Sequence, residues 1–103
     1  VNPDQMTESA AKAAGVPWEG VLEVGGVFIH NGRVWEPLED SGQALSLAAE
    51  LDLAIDFSVP GRVQIAGPRG LGLDIYIQDH NNSKIDAARY GIVYAASILG
   101  DEV

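Results

Sequence analysis

Between residues 53 and 77 the chain alternates apolar and polar side chains in three separate runs, with only two tight turns in which to reverse direction. Leu53, Ile55 and Phe57 alternate with Ala54, Asp56 and Ser58. Val63 and Ile65 alternate with Arg62, Gln64 and Ala66, and Leu73, Ile75 and Ile77 with Asp74, Tyr76 and Gln78. A period of two places each apolar set on one face of a strand. Pro60-Gly61 and Gly67-Pro68-Arg69-Gly70 are turn signals too short to house a crossover helix, so the strands are expected to pair as an antiparallel meander. Such a sheet has one apolar face that water does not tolerate, and the rest of the chain must supply its cover.

Two amphipathic helices are available for that task. Asp40 and Gln43 have capping-box spacing, and Ala44, Leu47, Ala48 and Leu51 fall at i, i+3, i+4, i+7, which predicts a helix from about 41 to 51. After the polar loop Asp79 to Asn82, Ser83 caps a second helix whose first turn holds Asp86. Ile85, Ala88, Ile92, Ala96 and Leu99 line one face of it, Ala87, Gly91 and Ala95 form a row of small residues, and Gly100 is read as its C-terminal cap. A glycine inside a helix costs about 1 kcal/mol relative to alanine. Gly91 therefore implies close approach by another backbone, either the sheet beneath or a second copy of the chain.

Upstream the patterns are shorter. Thr7 is an N-cap candidate for a helix from Glu8 to Ala14 closed by Gly15, and Asn31-Gly32 between Val27–His30 and Arg33–Trp35 predicts a β-hairpin over 27–35. The stretch from Pro17 through Gly25-Gly26 reads as irregular, and Val1 to Gln5 as a tail without periodicity. The expectation is α+β: a three-stranded antiparallel meander with two helices on one face, preceded by a short helix and a hairpin, in a single domain over 6–100.

Charge is the most unusual bulk property. Fifteen acids against six bases leave −9, and residues 1–56 alone hold ten acids and two bases. Nucleic acid, which binds through phosphate neutralisation by Lys and Arg, is a poor match for such a surface, whereas a basic partner is a good one. Cysteine is absent, which removes disulfides, thiolate metal ligands and a cysteine nucleophile together. The least charged run, Tyr90 to Leu99, is about half the roughly 20 residues of a membrane span, and the acidic, polar start is unlike a signal peptide. These features lead to the expectation of a cytoplasmic protein.

The entry Trp35-Glu36-Pro37-Leu38, the run Asp40 to Leu51 with its Ala44-Leu45 and Leu47-Ala48 pairs, and the closing Ala87-Ala88-Arg89-Tyr90-Gly91-Ile92-Val93-Tyr94-Ala95-Ala96 resemble the phage ABA-sandwich or NinX-like family of small temperate-bacteriophage proteins. The resemblance covers roughly residues 33 to 100. It implies an α/β sandwich and a phage or prophage origin, and it brings no catalytic residues to carry over. The order of the meander and its flanking helices is also similar to that of double-stranded RNA-binding domains. The head of the last helix, however, offers only Lys84 and Arg89 in place of a lysine cluster.

Candidate sites are sparse. Asp74, Asp79 and His80 have types suited to a divalent ion, and Asp56 with Asp74 could project from one face as acid and base, but polar loops and solvated strand faces account for both sets. Gly67-Pro68-Arg69-Gly70-Leu71-Gly72 precedes a strand, not a helix, and so reads as a turn and not a phosphate cradle. The sequon Asn81-Asn82-Ser83 has meaning only in a secreted chain. Arg62 and Arg69 are candidates for a small anion or nucleotide at one end of the sheet. Trp35 is expected to plug the core beside Leu38, and Trp18, with Glu19, Glu23, Glu36 and Glu39, to face a partner. Ala87, Gly91 and Ala95 are candidates for self-association. The expectation is a non-enzymatic phage-type accessory protein, without cofactor or metal, that binds a host or phage protein; the alternative is a module that sequesters a small anion.

Overall fold

Val63 and Ile65, on the central strand of the meander, are essentially inaccessible to water and are among the largest fully buried side chains of the described residues. The computed structural model describes residues 3–13, 21–24, 27–30 and 33–101. In chain order these form α1 (Pro3–Ala13), β1 (Val21–Val24), β2 (Val27–His30), β3 (Arg33–Val34), α2 (Ser41–Glu50), β4 (Ala54–Asp56), β5 (Arg62–Ala66), β6 (Gly72–Tyr76) and α3 (Lys84–Asp101). The radius of gyration of 13.1 Å matches a compact domain of about 100 residues.

The expected meander is present, with strand order β4-β5-β6 and every pair antiparallel. Gly61 takes φ +76° in the first turn, where a side chain would be strained. In the second, Pro68–Gly70 form a single 3-10 turn in which Arg69 itself adopts φ +59°. Ile77 lies beyond β6, in a further 3-10 turn, Ile77–Asp79, that leads to α3.

α3 is the hub. One side lies on β5 and β6, a second meets α2, and a third carries α1. Buried residues occur on most of its circumference (Ala87, Ala88, Ile92, Val93, Ala95, Ala96, Ser97, Leu99), which explains why its sequence is apolar nearly all round. The row Ala87, Gly91, Ala95 faces inward. A Cβ on Gly91 would overlap Ile65 Cδ1 and lie 2.8 Å from Ile75 Cγ1. The sheet is thus the close neighbour that Gly91 requires, and Ala87 and Ala95 are fully buried, so this row is not a surface for self-association.

The caps behave as their chemistry dictates. Asp40 Oδ1 accepts from Gln43 N at 3.0 Å, and Ser83 Oγ accepts from Asp86 N at 3.2 Å. Gln43 reaches past Asp40: its Oε1 accepts from Glu36 N at 2.6 Å and its Nε2 donates to Val34 O at 2.6 Å. The side chain pins the Trp35-Glu36-Pro37-Leu38 entry against α2, with Pro37 buried and Trp35 and Leu38 packed on the core.

Three upstream expectations are corrected. α1 starts at Pro3, whose fixed φ and missing N–H suit a first helical turn, so Pro3 to Gln5 are helical and Thr7 is a buried interior residue, not a cap. Val21–Val24 is a strand, paired with β2 in a second sheet of order β1-β2-β3. The expected 27–35 hairpin is its β2-β3 part, with Ile29 opposite Val34 and His30 opposite Arg33; the turn residues Asn31-Gly32 lie outside the described residues, as does Gly15. At the other end of the chain Gly100 is not a cap. It remains helical and abuts α1, where a Cβ would overlap the carbonyl oxygen of Ser9. Among the described residues no helix is long and apolar enough to cross a membrane.

Candidate functional site

Burial across the inner face of the meander is uneven. Val63 and Ile65 on the central strand and Ile75 on β6 are buried, but Ile55 on β4 is only half covered and Phe57, just past β4, is 39% exposed. Phe57 was expected in the core, and Ile85 on the buried stripe of α3; Ile85 is 51% exposed. Both depart from expectation at one place. Together with Leu45 of α2, 65% exposed, they rim an apolar groove of about 200 Å³ whose walls are completed by Ser41, Ala44, Ile55, Ala88, Arg89 and Ile92.

Local structure explains why the groove stays open. α2 packs mainly on α3, so its Leu45 overhangs the inner face of β4 without reaching it. Arg89 holds that spacing. Its Nε donates to Leu38 O at 3.1 Å, its Nη1 to Ser41 Oγ at 2.7 Å, and its Nη2 to Asp86 Oδ1, which clasps the start of α3 to the start of α2. Lys84 Nζ donates to Phe57 O at 3.3 Å and ties the groove's far rim to α3. The volume lies below the roughly 300–1,000 Å³ of small-molecule pockets, and the lining offers almost no polar group to orient a ligand. It suits a large apolar side chain delivered by another protein.

The outer face of the sheet is different in kind. Strand register aligns Asp56, Gln64 and Asp74 in one rung, Ala54, Ala66 and Gly72 in the next, and Arg62 with Tyr76 in a third. Asp56 and Asp74 do share a face, as expected, but Gln64 stands between them and donates to Asp74 Oδ1 at 3.1 Å. Arg62 Nε is 3.7 Å from the same oxygen, a half-exposed pair too long for a hydrogen bond and of small energetic worth. Asp56 Oδ1 accepts from Ser58 Oγ at 2.5 Å and from Ser58 N at 2.8 Å. These two donations, the hydroxyl first, hold the Asp56 carboxyl below its ordinary value of 3.8. A depressed carboxylate stabilises the fold fully above its unfolded pKa and loses that contribution as pH falls through the folded value, so the loss is confined to pH below about 4. Ser58→Ala is expected to raise the Asp56 pKa part of the way back, the backbone N–H remaining, as read from a carboxyl NMR titration; an unchanged titration would refute the hydroxyl's role.

The other candidate residues do not converge. Arg62 begins β5 whereas Arg69 lies in the turn beyond its end, so the strand separates them by roughly 13 Å of rise and they form no common anion site. Asp74 is on the outer face, Asp79 is in the 3-10 turn, and the His80 ring stacks on Tyr90 of α3 at 4.5 Å between centroids. Among the described residues no three His, Asp or Glu side chains are placed to hold a metal ion. Glu36 and Glu39 are exposed at the entry to α2. Trp18 and Glu19 lie outside the described residues, and Glu23 falls in β1, opposite Phe28. The groove itself left a signal in the sequence: Leu45 is the large apolar residue on the exposed face of α2, beside Ser46, Ala49 and Glu50.

Comparison with family models, with curated proteins and with solved structures finds no match to this chain.

Proposed function

We propose that this chain is a non-enzymatic accessory protein of temperate-phage type that works by binding a basic host or phage protein in the host cytoplasm. The observation that carries the reading is the cluster Leu45, Phe57 and Ile85 around an apolar groove on a chain of net charge −9. Fully burying a side chain of this size is worth about 1.5–3 kcal/mol, and covering the part of these three that is still exposed is worth roughly half of that each, enough together to anchor a contact. Exposed acids flank the lining residues in sequence, Glu39 and Asp40 just before Ser41 and Asp56 between Ile55 and Phe57, while Arg89 lies in the lining and is engaged by Leu38, Ser41 and Asp86. The acids favour a partner that carries Lys and Arg around an apolar anchor, and they speed its approach at low ionic strength. The phage assignment rests on the likeness of residues 33–100 to the NinX-like proteins.

The test is capture from bacterial lysate at low and high salt with the parent chain and with Leu45→Asp. Leu45 is 65% exposed, so the variant is expected to keep the parent's melting temperature within a few degrees. A partner held at low salt, released at high salt and lost with Leu45→Asp is the expected result. Equal capture by both proteins, or no salt-sensitive partner at all, would overturn the reading.

A further inference from the structure

Resting on the reading of the groove as a protein-binding site, we infer that its occupant is an extended basic segment that adds to the sheet as a fourth strand beside β4. Among the described residues β4 is paired on one side only, with β5. An antiparallel edge leaves the N–H and C=O groups of alternate residues pointing outward, ready to pair with another strand. A three-residue edge is ordinarily blunted by its shortness. Here an apolar groove lies over the inner face of the same strand, lined by Ile55 and Phe57.

The burial gradient points the same way. The inward residues of the central strand are sealed and Ile55 on β4 and Leu73 on β6 are both half covered, but on the β4 side Phe57 and, across from it, Leu45 are exposed. A strand laid along β4 would send every second side chain inward, between Ile55 and Phe57 on one side and Leu45 on the other. Its alternate side chains would emerge on the outer face, in line with the rung that holds Asp56 and Asp74. Apolar residues inward and Lys or Arg outward is the pattern that suits both faces. Asp56 does not obstruct the edge, because its carboxylate is folded back onto Ser58. A second copy of the chain is a worse occupant, since it would bring another −9 to the contact.

A displayed library of random dodecapeptides, panned against the full chain, tests this. Enriched peptides are expected to alternate apolar residues with Lys or Arg at i, i+2 and i+4. Resynthesised, they should bind the parent at least about tenfold more tightly than Leu45→Asp, and lose a similar factor when alternate backbone amides are N-methylated. Ile85→Asp provides a second groove variant should Leu45→Asp fold poorly. Peptides that depend on the groove but space their apolar residues at i, i+3, i+4, or that tolerate N-methylation, would overturn strand addition and leave groove binding standing. Binding indifferent to both groove variants, or no enrichment, would overturn both. Self-association of the chain abolished by the groove variants would replace the basic segment with a second copy.

Discussion

Replacing Gly100 with alanine is expected to lower the melting temperature by about 10–20 °C, the equivalent of roughly 2–3 kcal/mol in a domain of this size. On helix propensity alone the same change would stabilise by about 1 kcal/mol, because Gly100 is helical and alanine is the better helix former. The sign is therefore diagnostic. An alanine Cβ would overlap the Ser9 carbonyl oxygen and lie 2.7 Å from its carbonyl carbon, and a backbone cannot rotate away as a side chain can. Relief requires α1 to lift from α3, which exposes Met6, Ala10 and Ala11. Hydrogen exchange should show protection lost in α1 while β5 and the middle of α3 keep theirs. A variant as stable as the parent, or more so, would mean that α1 does not pack against Gly100.

The second large effect is a coupling. Gly91→Ala drives a methyl group into Ile65 Cδ1 and towards Ile75, with an overpacking cost of about 1–3 kcal/mol partly offset by the gain in propensity. Ile65→Val alone removes that Cδ1 and costs about 0.5–1.5 kcal/mol. In the double variant the alanine methyl occupies the space the isoleucine gave up, so the pair is expected to be more stable than the sum of the singles by at least about 1 kcal/mol. Denaturant unfolding of the four proteins measures this directly. Strict additivity would show that Gly91 does not rest on Ile65, and would return the Ala87, Gly91, Ala95 row to the surface as a self-association candidate.

The two experiments interrogate positions that the sequence flagged without explaining. A glycine inside a helical pattern announces that something comes close, and only the packing says what: at Gly91 the sheet, at Gly100 the backbone of α1. Local chemistry favours a cap at Gly100, because a glycine after the last apolar position commonly ends a helix. The contact that keeps it helical is made with a segment some 90 residues earlier, which no local pattern carries.

Periodicity failed in an informative way at the groove. Ile85 and Phe57 occupy positions that belong to the apolar stripes of α3 and of the strand, and both are exposed. A stripe specifies the direction a side chain faces, not whether another element arrives to cover it. Whether α2 reaches over β4 is decided by its packing on α3 and by the Arg89 clasp to Leu38 and Ser41, contacts that span 51 and 48 residues. Phe57 and Ile85 thus obey the local pattern and lack cover in the tertiary fold, whereas Leu45 breaks the pattern of its helix. Arg62 and Arg69 make the converse point. Seven residues apart in sequence, they are set at opposite ends of a strand by its extended rise.

From the amino-acid order alone came the antiparallel meander, the two capped helices that flank it, the inward and outward faces of each strand, and the acidic character of the chain. These follow from short-range rules: side-chain period, cap chemistry and the positive φ that turns demand. Tertiary structure alone decided that α1 begins at Pro3 and packs on α3, that 21–24 is a strand, and that Leu45, Phe57 and Ile85 stand uncovered around one groove. The physical reason is that pairing and burial depend on which surfaces meet across long sequence separations, and that matching is a property of the whole packed chain.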